Sequence, residues 1–310
     1  MLDIVNVIAP VFALMVSGYL AVRFKAFPRE GVRGLIAFVN NFCTPSLLFL
    51  AMATSDFGQI FNWSVIGSFY IGAFVSLIGG AIIAHRFFGM RPGESVSSGF
   101  TAMFSNTVLV GIPIVSRAYG EGALPTAFSI IVLHAPLLIT VGMLAMEVLR
   151  RDGAPIGRAL WSALLRILQN PLLIGVALGA VVNQTGIELI EPVEAFIGML
   201  AAAVVPAALF GLGGALNDYR LADSWAQALV MSLFQLVSQP VIAWVLMVPV
   251  LGVPHDLAKV GVLLAAMPAG INVFVFATYY NRGVDVATNT VLISTALSMI
   301  TLSAWLWFLG

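Results

Sequence analysis

The sequence predicts an all-α membrane protein of ten transmembrane helices arranged as two inverted five-helix repeats. Three observations predict it: a charge-poor apolar composition, basic residues concentrated on alternate links, and prolines and glycines recurring at one offset. Of the 310 residues, 60% are hydrophobic and 9% charged, with a mean hydropathy of +1.03. An average soluble domain carries roughly 25% charged residues, and a surface this poor in charge would not stay dispersed in water. A membrane-crossing helix needs about 20 mostly apolar residues, because hydrocarbon offers no partner to free backbone groups.

Such stretches fall near 2–22, 33–54, 62–84, 96–118, 123–149, 160–182, 190–216, 224–250, 257–280 and 285–309. The links between them are short, and none could form a soluble domain. The first stretch carries Asp3, no basic n-region and no A-x-A cleavage pattern, so it reads as a retained helix rather than a signal peptide. The formal net charge is zero, which gives no bulk attraction to nucleic acid, and the single cysteine, Cys43, excludes a disulfide framework within the chain.

Ten spans place the links after spans 1, 3, 5, 7 and 9 on one side. Those links and their flanks hold Arg23, Lys25, Arg29, Arg33, Arg86, Arg91, Arg150, Arg151, Arg158, Arg166, Arg220 and Arg282, against Arg117 and Lys259 opposite. This positive-inside bias puts the first side in the cytoplasm and both termini outside, in a multi-pass protein of the cell's inner (plasma) membrane. Glu188, Glu191 and Glu194 gather on an outer link, which agrees.

The halves correspond at an offset of 161 residues. Pro10 meets Pro171, Gly18 meets Gly179, Pro45 meets Pro206, Leu48 meets Leu209 and Phe49 meets Phe210; Tyr119 and Gly122 meet Tyr280 and Gly283. Five spans is an odd number, so the second copy enters the membrane upside down. The repeats are 1–149 and 160–310, with a cytoplasmic link at 150–159.

Two spans look breakable at mid-membrane. The fourth reads FTAMFSNTVLVGIPIVSRAYG, with Asn106, Gly111 and Pro113 near its centre. The ninth reads LLAAMPAGINVFVFATYY, with Pro268, Gly270 and Asn272 at similar depth. Proline removes an amide donor and clashes with the preceding turn, and glycine lowers resistance to unwinding. Backbone freed there must face protein or a water-filled cavity, and half-helix N-termini suit an anionic ligand. An asparagine beside each break adds donors and acceptors without a buried charge.

The segments SNTVLVGIP (105–113), NPLLIGVALG (170–179), VPAALFGLGGAL (205–216), MPAGINVFVFATYY (267–280) and VLISTALSM (291–299) resemble the auxin efflux carrier family. That family includes plant PIN-type auxin exporters and bacterial organic-acid carriers. The resemblance covers essentially the whole chain. It implies that spans 4 and 9 cross at their unwound centres. Spans 1, 2, 6 and 7 would form a scaffold, with spans 3–5 and 8–10 moving by an elevator mechanism. It further implies a carboxylate at the crossover, with Asn106, Pro113, Pro268 and Asn272 as crossover residues, and a homodimer through scaffold helices. The chain lacks the long loop between the halves found in many plant members, so regulatory phosphorylation there is not implied. Its compact form looks more like the bacterial malonate or dicarboxylate carriers.

Other residues fit this frame less sharply. Asn40 and Asn41, with Thr44, could line the substrate path from the scaffold side, or hydrogen-bond between packed helices. His134 is the only ionisable side chain these spans place deep in the bilayer. It suits proton coupling, or a bond to a neighbouring carbonyl. Gln235, Gln239 and Asn289 could support the crossover or simply pack. No transmembrane Asp or Glu pair offers a sodium site, although unwound carbonyls alone can bind Na⁺; coupling to H⁺ or Na⁺ stays open. No Walker-type loop, metal cluster, cofactor motif or nucleophile–base set is present. The expected function is secondary transport of a small organic anion. A carrier of a cation or neutral solute is the alternative, a channel is less favoured, and an enzyme least of all.

Overall fold

A computed structural model describes residues 2–54, 61–150, 169, 171–218 and 224–310. The predicted link 150–159 beyond the backbone of Arg150, the start of the sixth predicted span, and Arg151, Arg158, Arg166 and Arg220 lie outside the described residues, as does the side chain of Arg150. Among the described residues the regular elements are all helices.

The first half runs α1 (Leu2–Arg23), α2 (Arg29–Phe38), α3 (Thr44–Thr54), α4 (Trp63–Phe88), α5 (Pro92–Met103), α6 (Ile112–Tyr119) and α7 (Leu124–Arg150). The second runs α8 (Pro171–Thr185), α9 (Glu191–Ala202), α10 (Val204–Ala215), α11 (Trp225–Leu233), α12 (Gln239–Val245), α13 (His255–Ala265), α14 (Ile271–Tyr280) and α15 (Val284–Leu309). Local chemistry sets several ends. The Asn62 side chain accepts from the Ser64 and Val65 amides, both at 3.1 Å, to start α4. Gly89, at φ 63°, closes it in the left-handed conformation that glycine adopts without strain.

Among the described residues, seven helical stretches are long and apolar enough to cross a membrane: Ile4–Arg23, Arg29–Thr54, Trp63–Phe88, Glu121–Leu149, Glu191–Asp218, Trp225–Val250 and Val284–Leu309. Three shorter apolar helices, Thr107–Tyr119, Pro171–Thr185 and Ile271–Tyr280, fall within the remaining predicted spans. Two of them, Thr107–Tyr119 and Ile271–Tyr280, are short because the chain leaves the helix just before each, over Phe104 to Asn106 and over Pro268 to Gly270.

Prolines explain three places where helices widen. π-Helical turns at Val39–Cys43, Thr107–Gly111 and Phe234–Ser238 each run into α3, α6 or α12. Each of those helices has proline as its second residue: Pro45, Pro113 and Pro240. A proline cannot make the regular bond back to the fourth residue before it, and its ring pushes that carbonyl away, so the preceding turn opens by one residue. Pro206 follows the break between α9 and α10 at Ala203 by the same logic.

Close backbone contacts hold α1 to α10 and α3 to α8. A side chain at Gly18 would collide with the Phe210 carbonyl, and one at Gly179 with the Phe49 carbonyl. Large apolar side chains such as Phe87, Phe196, Met199 and Trp307 remain exposed on the outside, while Phe69, Phe100 and Phe128 fill the interior. An apolar exterior around a packed interior is what a lipid solvent requires.

Candidate functional site

The two interrupted spans meet at their interruptions. After α5 the chain extends over Phe104 to Asn106, and after α13 it extends to Gly270. Ser105 and Ala269 form an isolated antiparallel bridge. The Asn106 N–H donates to the Pro268 carbonyl at 2.7 Å, and the Gly270 N–H donates to the Phe104 carbonyl at 3.2 Å. Each broken segment thus satisfies backbone groups of the other, which buried unwound chain must do somewhere.

Three side chains secure this pairing. His134 of α7, 2% exposed, donates from Nε2 to the Ser105 carbonyl at 2.9 Å. The carbonyl is only an acceptor, so Nε2 carries the proton. The Phe104 and Phe69 rings flank that imidazole edge-on, with centroids 4.6 and 5.6 Å away. On the other strand, the Ala269 N–H donates to Ser294 Oγ of α15 at 3.0 Å. Asn106 holds its own half-helix: its Oδ1 accepts from the Leu109 N–H at 3.1 Å, and its carbonyl accepts from the Gly111 N–H at 3.0 Å.

A cavity of about 280 Å³ opens beside the pairing. Phe104 to Leu109 line one wall and Gly270 to Asn272 another, with Ile131 and His134 from α7, Leu172 from α8, and Ile36 and Asn40 closing it. Among these residues none is Asp, Glu, Lys or Arg. Two half-helices begin at the cavity, one after Asn106 and one, α14, after Gly270, so their first amide donors and positive dipole ends lie there. The Asn106 side-chain amide is buried and its Nδ2 has no protein partner. The arrangement presents hydrogen-bond donors and partial positive charge, with no full charge.

A family model described as membrane transport protein matches residues 3–306. The chain belongs to that family, the auxin efflux carriers among its members. The relatives include the "Putative malonate transporter" of Rhizobium meliloti (strain 1021), 26% identical over 100% of this chain and 97% of its own length. Auxin efflux carrier component 8 of Arabidopsis thaliana is 23% identical over 99% of this chain and 98% of its own. An uncharacterized transporter of Methanothermobacter thermautotrophicus is 25% identical over 95% of both chains. Family and relatives are transporters, not enzymes.

Within this membrane transporter, the residues singled out in the sequence do not all reach the cavity. Asn106, Gly270, Asn272, Asn40 and His134 come together around the cavity. Asn40 sits in the π-helical turn of the second span. Gly111, Pro113 and Pro268 are buried in the supporting packing instead, where they shape the breaks. A side chain at Gly111 would press on Leu264 Cδ2. Asn41 is exposed and is not among the lining residues. Sequence reasoning passed over Ser105, whose carbonyl and hydroxyl both make tertiary contacts, and Ser294. The available signals were the position of Ser105 beside Asn106 at the unwinding point and, for Ser294, only its place within the segment VLISTALSM. Among the described residues no three His, Cys, Asp or Glu side chains gather as metal ligands.

Proposed function

We propose that this transporter is a secondary carrier of small organic anions, with the substrate's carboxylate held in the cavity at the paired breaks. The observation that carries this reading is the unpartnered Asn106 amide, buried where two half-helix N-termini begin in a cavity without acidic side chains. A carboxylate would take bonds from that amide and from freed backbone donors, and the dipole ends would offset its charge. The malonate and auxin named in relatives are both carboxylates in their anionic form, which suits such a site.

The same reading takes the chain as ten spans in two inverted repeats, 1–149 and 160–310, with spans 4 and 9 as crossover helices. A symmetric pair of contacts supports the repeat: Gly18 against Phe210 and Gly179 against Phe49 exchange partners under the 161-residue offset. The sidedness has support too. Arg29 reaches the Asn217 carbonyl at 3.2 Å and Arg282 packs by Gly93, joining links expected in the cytoplasm. At the other face Arg117 reaches the Asn6 carbonyl at 3.0 Å, and Lys259 lies 4.9 Å from the Tyr119 ring centre. The cavity lies between walls from spans 2 and 6 and walls from spans 4, 5 and 9, the boundary an elevator-type movement would use. A plasma-membrane location with both termini outside, and a homodimer through the scaffold, belong to this proposal.

The test is counterflow of radiolabelled malonate in proteoliposomes, with malate, succinate and indole-3-acetate as competitors. Wild-type protein should show saturable exchange, and Asn106→Ala should weaken apparent affinity several-fold or more. Asn106→Asp sharpens the test, because it keeps the acceptor for the Leu109 amide while replacing the donor by negative charge. It should fold and lose carboxylate exchange. Exchange unchanged in both variants would refute the assignment. Folded wild-type protein that exchanges no carboxylate would point instead to a cation or neutral solute.

A further inference from the structure

Beside the paired breaks, among residues that do not line the cavity apart from Ser105, lies a buried polar seam of opposite character. Where half-helices begin at the cavity, α13 ends at the seam, so its last carbonyls and negative dipole end face inward. The Ser105 hydroxyl lies 3.4 Å from the Ala265 carbonyl and 3.4 Å from Gln239 Oε1. Gln239 is fully buried, and its Nε2 has no protein partner. Gln235, four residues earlier and so on the same helical face, is also fully buried, and neither of its amide atoms has a protein partner. It lies in the π-helical turn Phe234–Ser238, an irregularity that often marks a ligand site.

A seam of neutral oxygens at a helix C-terminus suits a hard cation. With no carboxylate among these groups to offset a second charge, it suits a monovalent one. We propose that the seam is a Na⁺ site, held by Ser105 Oγ, the Ala265 carbonyl, Gln239 Oε1 and, by rotation of its terminal amide, Gln235 Oε1. Ser105 would couple the site to the cavity, since its carbonyl is the one that His134 grips on the cavity side. Binding of the ion would tighten the pairing of the two breaks and so the cavity wall they form. The inference rests on the seam's geometry and not on the substrate reading, so either can fail alone.

The experiment is done on the purified full chain in detergent without substrate. Thermal unfolding is followed by labelling of Cys43, the only cysteine and a buried one, in NaCl, KCl or choline chloride at equal ionic strength. Na⁺ should raise the melting temperature saturably, and K⁺ and choline should not. Gln235→Leu and Gln239→Leu should remove the Na⁺ increment. Gln239→Glu, which adds a carboxylate ligand of the same length, should keep it and lower the half-saturating Na⁺ concentration several-fold. Identical melting of the wild type in all three salts would overturn the proposal and leave the seam a hydrated packing feature. So would a Na⁺ increment that survives intact in both leucine variants.

Discussion

Replacing His134 by leucine tests whether the imidazole is a tether for the unwound chain. The substitution keeps apolar bulk but removes the donor to the Ser105 carbonyl, on a residue with no solvent exposure. A buried acceptor left unpaired costs about 1–3 kcal/mol. The edge-on contacts with Phe104 and Phe69 are lost as well, at about 0.5–1.5 kcal/mol each. The sum is about 2–6 kcal/mol, which at about 2 °C per kcal/mol for a chain this large lowers the melting temperature by about 4–12 °C. Melting in detergent, read by labelling of Cys43, measures it. His134→Gln restores an amide donor and should recover a substantial part of the loss. A leucine variant that melts with the wild type would refute the tether. Transport separates the second role considered for this residue. A tether predicts that uptake driven by a pH gradient survives in His134→Gln. Loss of that uptake with counterflow exchange intact would instead make His134 a proton carrier.

Three further substitutions follow from the same geometry. Ser294→Ala removes the acceptor for the Ala269 amide and should cost about 1–3 kcal/mol, seen as a lower melting temperature that Ser294→Thr partly restores. Gly18→Ala and Gly179→Ala each drive a methyl group into a carbonyl of the facing helix. Because backbone cannot step aside, each should cost at least about 1–3 kcal/mol, and similar losses at both positions would match their equivalent places in the repeat. At Gly111 the obstacle is a leucine methyl that can rotate, so Gly111→Ala should cost no more than about 1 kcal/mol; a loss as large as at Gly18 would show that Leu264 is fixed.

The sequence by itself determined the membrane class, since only apolar helices of about 20 residues bring their own backbone bonding into hydrocarbon. It also located the weak points, because proline and glycine act through the backbone of their own turn. Asn106, Gly111 and Pro113 mark the break before α6, and Pro268 and Gly270 the break before α14. What it could not give was the pairing. That Asn106 meets Pro268, that Ser294 meets Ala269, and that His134 spends its donor on Ser105 depend on which segments lie side by side. Those contacts span from 25 to more than 160 residues of chain, and no local rule of propensity or spacing reaches that far. The same distance separates the two kinds of asparagine. Asn40 and Asn41 are indistinguishable in sequence, yet one step around the π-helical turn puts Asn40 on the cavity and leaves Asn41 off it. Tertiary structure decided the site because a break in one helix exposes backbone that only a second break, brought from the other half, can satisfy.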